Sequence, residues 1–201
     1  MTRAGAASAG AASAGAGRVE ATPAELAPHI DAWLDELGLD VVGRGAAPPG
    51  SAALSRDVIL DGERRFDLRV TIAWAAGMGL HLWGFYGPDG MELPRRTLLR
   101  LLSANAEYPF VKFAVTDEDR PMLIAEVPPD AVSLNELGRA LARMVVVSDR
   151  LLEETASAIA DRGQLPDWAG RTGRNPQLLE RFRAEVEAAM PEWRPPTAPA
   201  P

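Results

Sequence analysis

Cysteine is absent from the 201 residues, and with it go disulfides, thiolate catalysis and cysteine-ligated zinc or iron–sulfur sites. Histidine is nearly absent: His29 and His81 are the only two, too few for a histidine-rich metal site. There is one lysine, Lys112, and 28 acidic residues outweigh 21 basic ones for a net charge of −7. Phosphate binding needs a basic surface, so this balance argues against nucleic acid and anionic membranes as partners. No apolar run approaches the ~20 residues of a membrane-spanning helix. The glycine-rich stretch Gly43–Ser51 lacks the Gly-Lys-Ser/Thr ending of a phosphate loop. No G-x-S-x-G elbow is present either. No cofactor, metal or catalytic residue is expected.

What is present suits one domain with flexible ends. Hydrophobic residues make up 47% of the chain and charged ones 24%, ordinary globular values that exclude wholesale disorder. Residues 1–21 carry a tandem AASAG repeat and one large apolar side chain beyond Met1, Val19. Such a stretch cannot bury enough surface to offset its ordering entropy, and it lacks the apolar run of a secretory signal. It reads as a disordered tail, as does the proline-rich segment 193–201. Residues 158–175, rich in glycine and charge, read as a linker. Asn175-Pro176 then reads as an N-cap with proline at the first helical position, opening a short helix over 176–192. Its apolar stripe is Leu178, Leu179, Phe182, Val186 and Met190.

The middle, 22–157, carries the periodic patterns. Thr22-Pro23-Ala24-Glu25 is a capping box, and Leu26, Ile30, Trp33, Leu34 and Leu37 then line one helical face up to Gly38. From Arg56 the period changes to two. Val58–Leu60 is a short strand closed by Asp61-Gly62. Arg65 to Trp74 alternates, with Phe66, Leu68, Val70, Ile72 and Trp74 on one face and Arg65, Asp67, Arg69 and Thr71 on the other. A third strand over 78–86 breaks that rule. One parity carries Met78, Leu80, Leu82 and Tyr86; the other carries His81, Trp83 and Phe85. A two-residue turn before it sets Trp83 opposite Val70, and a three-residue turn sets Leu82 there, so register decides which set joins the core. Either way, large side chains fall on the face that the second strand leaves polar. Pro94 opens a second helix, containing Leu98, Leu99, Leu101 and Leu102. Strands over 110–116 and 122–127 flank the Asp117-Glu118-Asp119 turn, and a capping box at Ser133 starts a helix over 133–157. The expectation is an α+β domain with a five-stranded, mainly antiparallel sheet in the order α-β-β-β-α-β-β-α.

Polar groups that could carry chemistry read as structural. Ser148 lies on the apolar stripe of the last long helix, as a back-bonded core hydroxyl. His29 sits on a helix surface and His81 in a sheet. The three adjacent carboxylates at 117–119 lack the alternate ligand spacing of a calcium loop. Arg95, Arg96 and Arg100 form a solvated helix face.

The run from Leu98 to Pro128, followed by Ser133 to Glu154, resembles the YbjN family. The features are a leucine helix ending in Asn105, then Tyr108-Pro109-Phe110, Lys112-Phe113-Ala114, a charged hairpin, Val127-Pro128 and a long helix. The resemblance implies a type III secretion chaperone-like fold and a bacterial, cytoplasmic regulator of sensory transduction without chemical activity. Related secretion chaperones are small acidic dimers that hold an extended client segment on apolar patches. The tails and the extra C-terminal helix depart from that pattern. The leading expectation is therefore a non-enzymatic, dimeric protein that binds a protein segment. Whichever of the sets Met78, Leu80, Leu82 or His81, Trp83, Phe85 faces away from the helices is expected to meet a client or a second subunit. The alternatives are a structural subunit tethered through its tails and an enzyme using His81 or the carboxylates.

Overall fold

The computed structural model describes residues 22–45, 54–75, 77–87, 94–159, 168 and 170–190. The tails expected over 1–21 and 193–201 lie outside these residues. Along the chain run α1 (Pro23–Glu36), β1 (Val41–Gly45), β2 (Leu54–Leu60), β3 (Leu68–Ala75), β4 (Gly79–Phe85), α2 (Arg95–Glu107), β5 (Val111–Val115), β6 (Pro121–Val127), α3 (Leu134–Ile159) and α4 (Pro176–Ala189). The class is α+β. The sheet is antiparallel throughout, in the order β1-β2-β3-β4-β6-β5, and has six strands among the described residues where five were expected.

The extra strand is β1, which runs into the glycine-rich stretch Gly43–Ser51. Val41-Val42-Gly43-Arg44-Gly45 contains two glycines and no alternation, because an edge strand needs no buried face. It carries a bulge between Val41 and Gly43. β2 begins at Leu54, four residues earlier than expected, since Arg56 interrupts its apolar parity. Arg56 points to the core side and is nevertheless buried. Its Nε and Nη2 donate to Asp31 of α1 at 2.6 and 3.0 Å, and its Nη1 donates to the Ser55 carbonyl. A paired and hydrogen-bonded charge can occupy a position that an unpaired one could not.

β3 starts at Leu68, not Arg65. Asp67 takes a positive φ of 60° and ends the extended run. Arg65, expected on the polar face, is buried: its Nη2 donates to the Tyr86 carbonyl at 2.6 Å, and its guanidinium lies 4.3 Å from the Tyr86 ring centre. Phe66 is buried as the pattern required. The turn into β4 has the three residues considered but starts one position later: Ala75 pairs with Gly79, so Val70 faces Gly84, and Leu82 faces Ile72. Gly79 has φ 88°, and a Cβ there would run into the Val127 carbonyl, so only glycine closes this turn.

The shift of two residues preserves parity and settles the faces. Val58, Leu60, Leu68, Val70, Ile72, Leu80, Leu82, Leu123 and Val127 point one way and are at most 3% exposed. They form one cluster with Ile30 and Leu34 of α1, Leu101 of α2, and Leu137, Leu141 and Met144 of α3. The capping box at Thr22 is present, and Gly38 ends α1 at φ 68°. In α3, Ser133 Oγ accepts from Glu136 N. Ser148 is buried, but its Oγ has no hydrogen-bond partner among the described residues, contrary to the back-bonding expected. Thr155, two turns on, does back-bond to the Leu151 carbonyl at 2.7 Å.

α4 docks on α3. Asn175 stands at the N-cap position before Pro176, as expected, but its side chain makes no capping bond: its Oδ1 accepts from Asp61 N at 3.0 Å and its Nδ2 donates to the Gly38 carbonyl. The residue is used as a tie to the sheet and α1, a role that local sequence could not reveal.

Candidate protein-binding face

With the helices gathered on one side, the opposite side of the sheet is covered by no described helix. β4 places His81, Trp83 and Phe85 there. The register sets Trp83 between Thr71 of β3 and Ile124 of β6, and His81 between Ala73 and Glu126. Phe85 pairs with Met122, and Met122 with Ala114 of β5. The result is an apolar band of Ala73, Trp83, Phe85, Met122 and Ile124, with Ile59 on the same face but separated from it by its β3 partner Arg69. Phe85 is 39% exposed and the other five are half-buried.

The band has a polar rim. Asp57 accepts from Arg69 Nη2 at 2.6 Å and from Thr71 Oγ1 at 2.7 Å. Burial pushes the Asp57 carboxyl upward, but these donors outweigh it and hold the group below its ordinary range. His81 Nδ1 lies 3.4 Å from Glu126 Oε1, while its Nε2 is buried without a partner among the described residues. The Arg120 guanidinium stacks on Phe85, 3.6 Å from the ring centre. Such a cation shields one face of the ring and leaves the remainder for contact.

The sheet edge beside this face is closed. Asn105, at the end of α2, donates from Nδ2 to the Phe113 carbonyl at 3.0 Å and accepts from Phe113 N at 2.6 Å. Both outward backbone groups of Phe113 are thereby occupied, which blocks strand addition at the centre of β5. Lys112 Nζ bonds back to the Asn105 carbonyl at 3.0 Å. Asn105, Lys112 and Phe113 are among the residues that carry the family resemblance, and the fold brings them together.

Of the six residues named from the sequence, Leu80 and Leu82 are fully buried beneath the helices and leave the candidate set. Met78 is 59% exposed, but in the β3–β4 turn, apart from the band. His81, Trp83 and Phe85 remain. Ile59, Met122 and Ile124 were missed, although the run Met122-Leu123-Ile124-Ala125 already shows β6 to be apolar on both parities. Polar clusters elsewhere are structural. Asp117, Glu118 and Asp119 form an exposed turn, with Thr116 Oγ1 accepting from Glu118 N and Arg120 N. Arg100 is ion-paired to Glu107 and Glu154. His29 is exposed, its ring tilted against Trp33. Among the described residues there is no group of three or more acidic or histidine side chains that could hold a metal. No described helix is long and apolar enough to cross a membrane.

No family model matches this chain, and no curated protein does. Among solved structures it is similar to a chain of the heterodimeric complex ExoU-SpcU from the type III secretion system of Pseudomonas aeruginosa. The identity is 27%, the TM-score 0.40, and the match covers 62% of this chain and 95% of that one. At that TM-score it remains a similarity, and nothing about the site is taken from it.

Proposed function

We propose that this chain is a non-enzymatic binding protein, a YbjN-like regulator or secretion-chaperone-like dimer, which holds a protein segment against the open face of its sheet. The supporting observation is the band of Trp83, Phe85, Ile124 and Met122. These side chains add nothing to the chain's own core, and contiguous apolar surface of this kind marks interaction sites. The face is a better candidate than an edge. β5 is blocked by Asn105, and β1 is short, bulged and glycine-rich. A partner segment would therefore lie across the strands, its apolar side chains on Trp83 and Phe85 and its polar ones at the Asp57–Arg69 and His81–Glu126 rim.

The test is affinity purification from the native host with the wild-type chain and with the double variant Trp83→Asp, Phe85→Asp, followed by mass spectrometry and sedimentation. The variant should keep its far-UV circular dichroism and lose the retained protein at least tenfold. A folded double variant that retains the same protein and sediments as wild type would refute the reading.

A further inference from the structure

β5 begins at Val111, opposite Ala125, so Glu126 and Val127 of β6 run past it with no partner strand on that side among the described residues. A groove of about 490 Å³ lies there, with Phe110, Ile124, Pro128 and Arg143 in its wall. That is a volume typical of binding clefts. Ile124 pairs with Trp83 and with Lys112, and so belongs to the open face. Val127, also in the wall, points into the core, and Arg143 stands on α3. The groove therefore leads from the open face, around the end of β5, to the helix side of the sheet.

Folding does not account for two features of this wall. Phe110 is 61% exposed and takes φ 72°. That conformation is strained for a bulky side chain, and burial does not offset it. Arg143 is half-buried, its guanidinium 4.5 Å from the Phe110 ring centre, and no carboxylate bonds to it among the described residues. Glu136, two turns away on α3, is turned to Arg139 at 2.5 Å. Burial pulls the Arg143 guanidinium below its ordinary range, and the charge of Glu136 does not make up the difference. The second cation, Lys112, bonds the Asn105 carbonyl and no carboxylate among the described residues. Glu126 stands at the rim, its side chain 66% exposed and 3.4 Å from His81. An apolar wall thus meets two cations that lack a carboxylate.

We propose that this groove is the acidic-residue site of the binding face. An extended partner segment lying on the sheet continues around the end of β5 and sets an aspartate or glutamate side chain on Arg143, with an adjacent apolar side chain on Phe110. This rests on the reading that the open face holds a protein segment, and gives that segment a chemistry and a path. A carboxylate matches the guanidinium fork in a two-point, charge-assisted bond, and it supplies the counter-charge that a half-buried cation lacks. Lys112 adds a second positive charge beside it. The exposed Phe110 ring, already stacked on Arg143, offers its remaining surface to the neighbouring side chain.

The probe is a library of random octapeptides, displayed with no free chain end and selected on the full-length chain. Recovered peptides should carry Asp or Glu beside an apolar residue. The tightest, made with both ends capped, should lose affinity at least tenfold when its acid is changed to the amide. Arg143→Gln should lose the same factor and become indifferent to that change, and Arg143→Glu should select Lys or Arg at the same position. The double variant Trp83→Asp, Phe85→Asp should lose the peptide altogether. If the double variant loses it while Arg143→Gln binds acid and amide as wild type does, this site is wrong and the open-face reading stands. If the double variant keeps it, the reading fails and the site with it. Recovery of basic or uncharged peptides, a need for a free terminal carboxylate, or no recovery at all would overturn the proposal. So would loss of the cooperative thermal transition in Arg143→Gln, which would make the guanidinium structural. A wild-type dimer that dissociates in Arg143→Gln would overturn it too, by putting a second copy in the groove.

Discussion

The two faces of the sheet are built from the same six strands and meet different surroundings. On one, Val58, Val70, Leu82 and Leu123 are wholly enclosed by the helices. On the other, Trp83, Ile124 and Phe85 stay half covered. The contrast is uneven across the sheet. β3 obeys strict alternation, with Arg69 and Thr71 opposite its core residues, whereas β4 and β6 are apolar on both parities. Folding of this chain accounts for one apolar face only. The second, confined to neighbouring strands, is the residue pattern that folding alone leaves unexplained.

The largest effect should come from a charge on the enclosed face. An unpaired carboxylate at Val70, a position with no exposure, costs several kcal/mol against a total stability of ~5–15 kcal/mol. Val70→Asp should abolish the cooperative thermal transition. Trp83→Asp, thirteen residues on and facing the other way, should change stability by only about 1 kcal/mol and leave the circular dichroism native. If Trp83→Asp also unfolded the chain, the two faces would not differ and the open side would have to be core.

Each face also carries an ion pair, and these sharpen the contrast. On the core side, Asp31 holds Arg56, whose side chain is 9% exposed. On the open side, Asp57 holds Arg69, which is 64% exposed. Asp31→Asn strands a buried guanidinium and should cost about 2–4 kcal/mol, while Asp57→Asn should cost at most about 1 kcal/mol. The pH dependence follows in sign. The hydrogen bond from Arg56 lowers the Asp31 carboxyl against the upward push of burial, and Arg44 adds to it. A carboxyl lowered in the folded state contributes its stability above the unfolded value of ~3.9, and loses it as pH falls through the folded one. Denaturant titrations should therefore show wild type and Asp31→Asn converging below about pH 4. Parallel curves down to pH 2 would mean that the pair contributes nothing.

Much of this arrangement was legible in the sequence, where a local period or cap carried it. The Thr22 capping box, the alternation of 66–74 and the stripe of α3 gave their elements, and the conflict within β4 marked the face that stays open. The rest depended on partners far along the chain. Arg56 hid β2 because Asp31 lies on another element, and Arg65 is buried through the Tyr86 carbonyl. β1 has no period because an edge strand with two glycines needs none. Asn105 was noticed only as a motif residue; its role at the β5 edge is visible when Phe113 lies beside it. Asn175 looked like a cap by type and position, yet its amide bonds Asp61 and Gly38 instead.

The smallest effect, and the one of opposite sign, belongs to Ser148 on the enclosed side. Its hydroxyl is buried and makes no hydrogen bond among the described residues. By contrast Thr155 Oγ1 bonds both the Leu151 carbonyl at 2.7 Å and the Tyr86 hydroxyl at 2.9 Å. An unmade buried bond costs about 1–3 kcal/mol, and alanine is the better helix former by up to about 0.7 kcal/mol. Against these stands the loss of one oxygen's packing. Ser148→Ala should therefore stabilise the chain by about 1 kcal/mol and raise the melting temperature by about 2–4 °C, whereas Thr155→Val, which keeps the shape, should destabilise it by about 1–3 kcal/mol. Calorimetry on the two variants would separate them. A Ser148→Ala chain that melts lower than wild type would mean that its hydroxyl is bonded, and that the enclosed face is held by polar contacts as well as by packing.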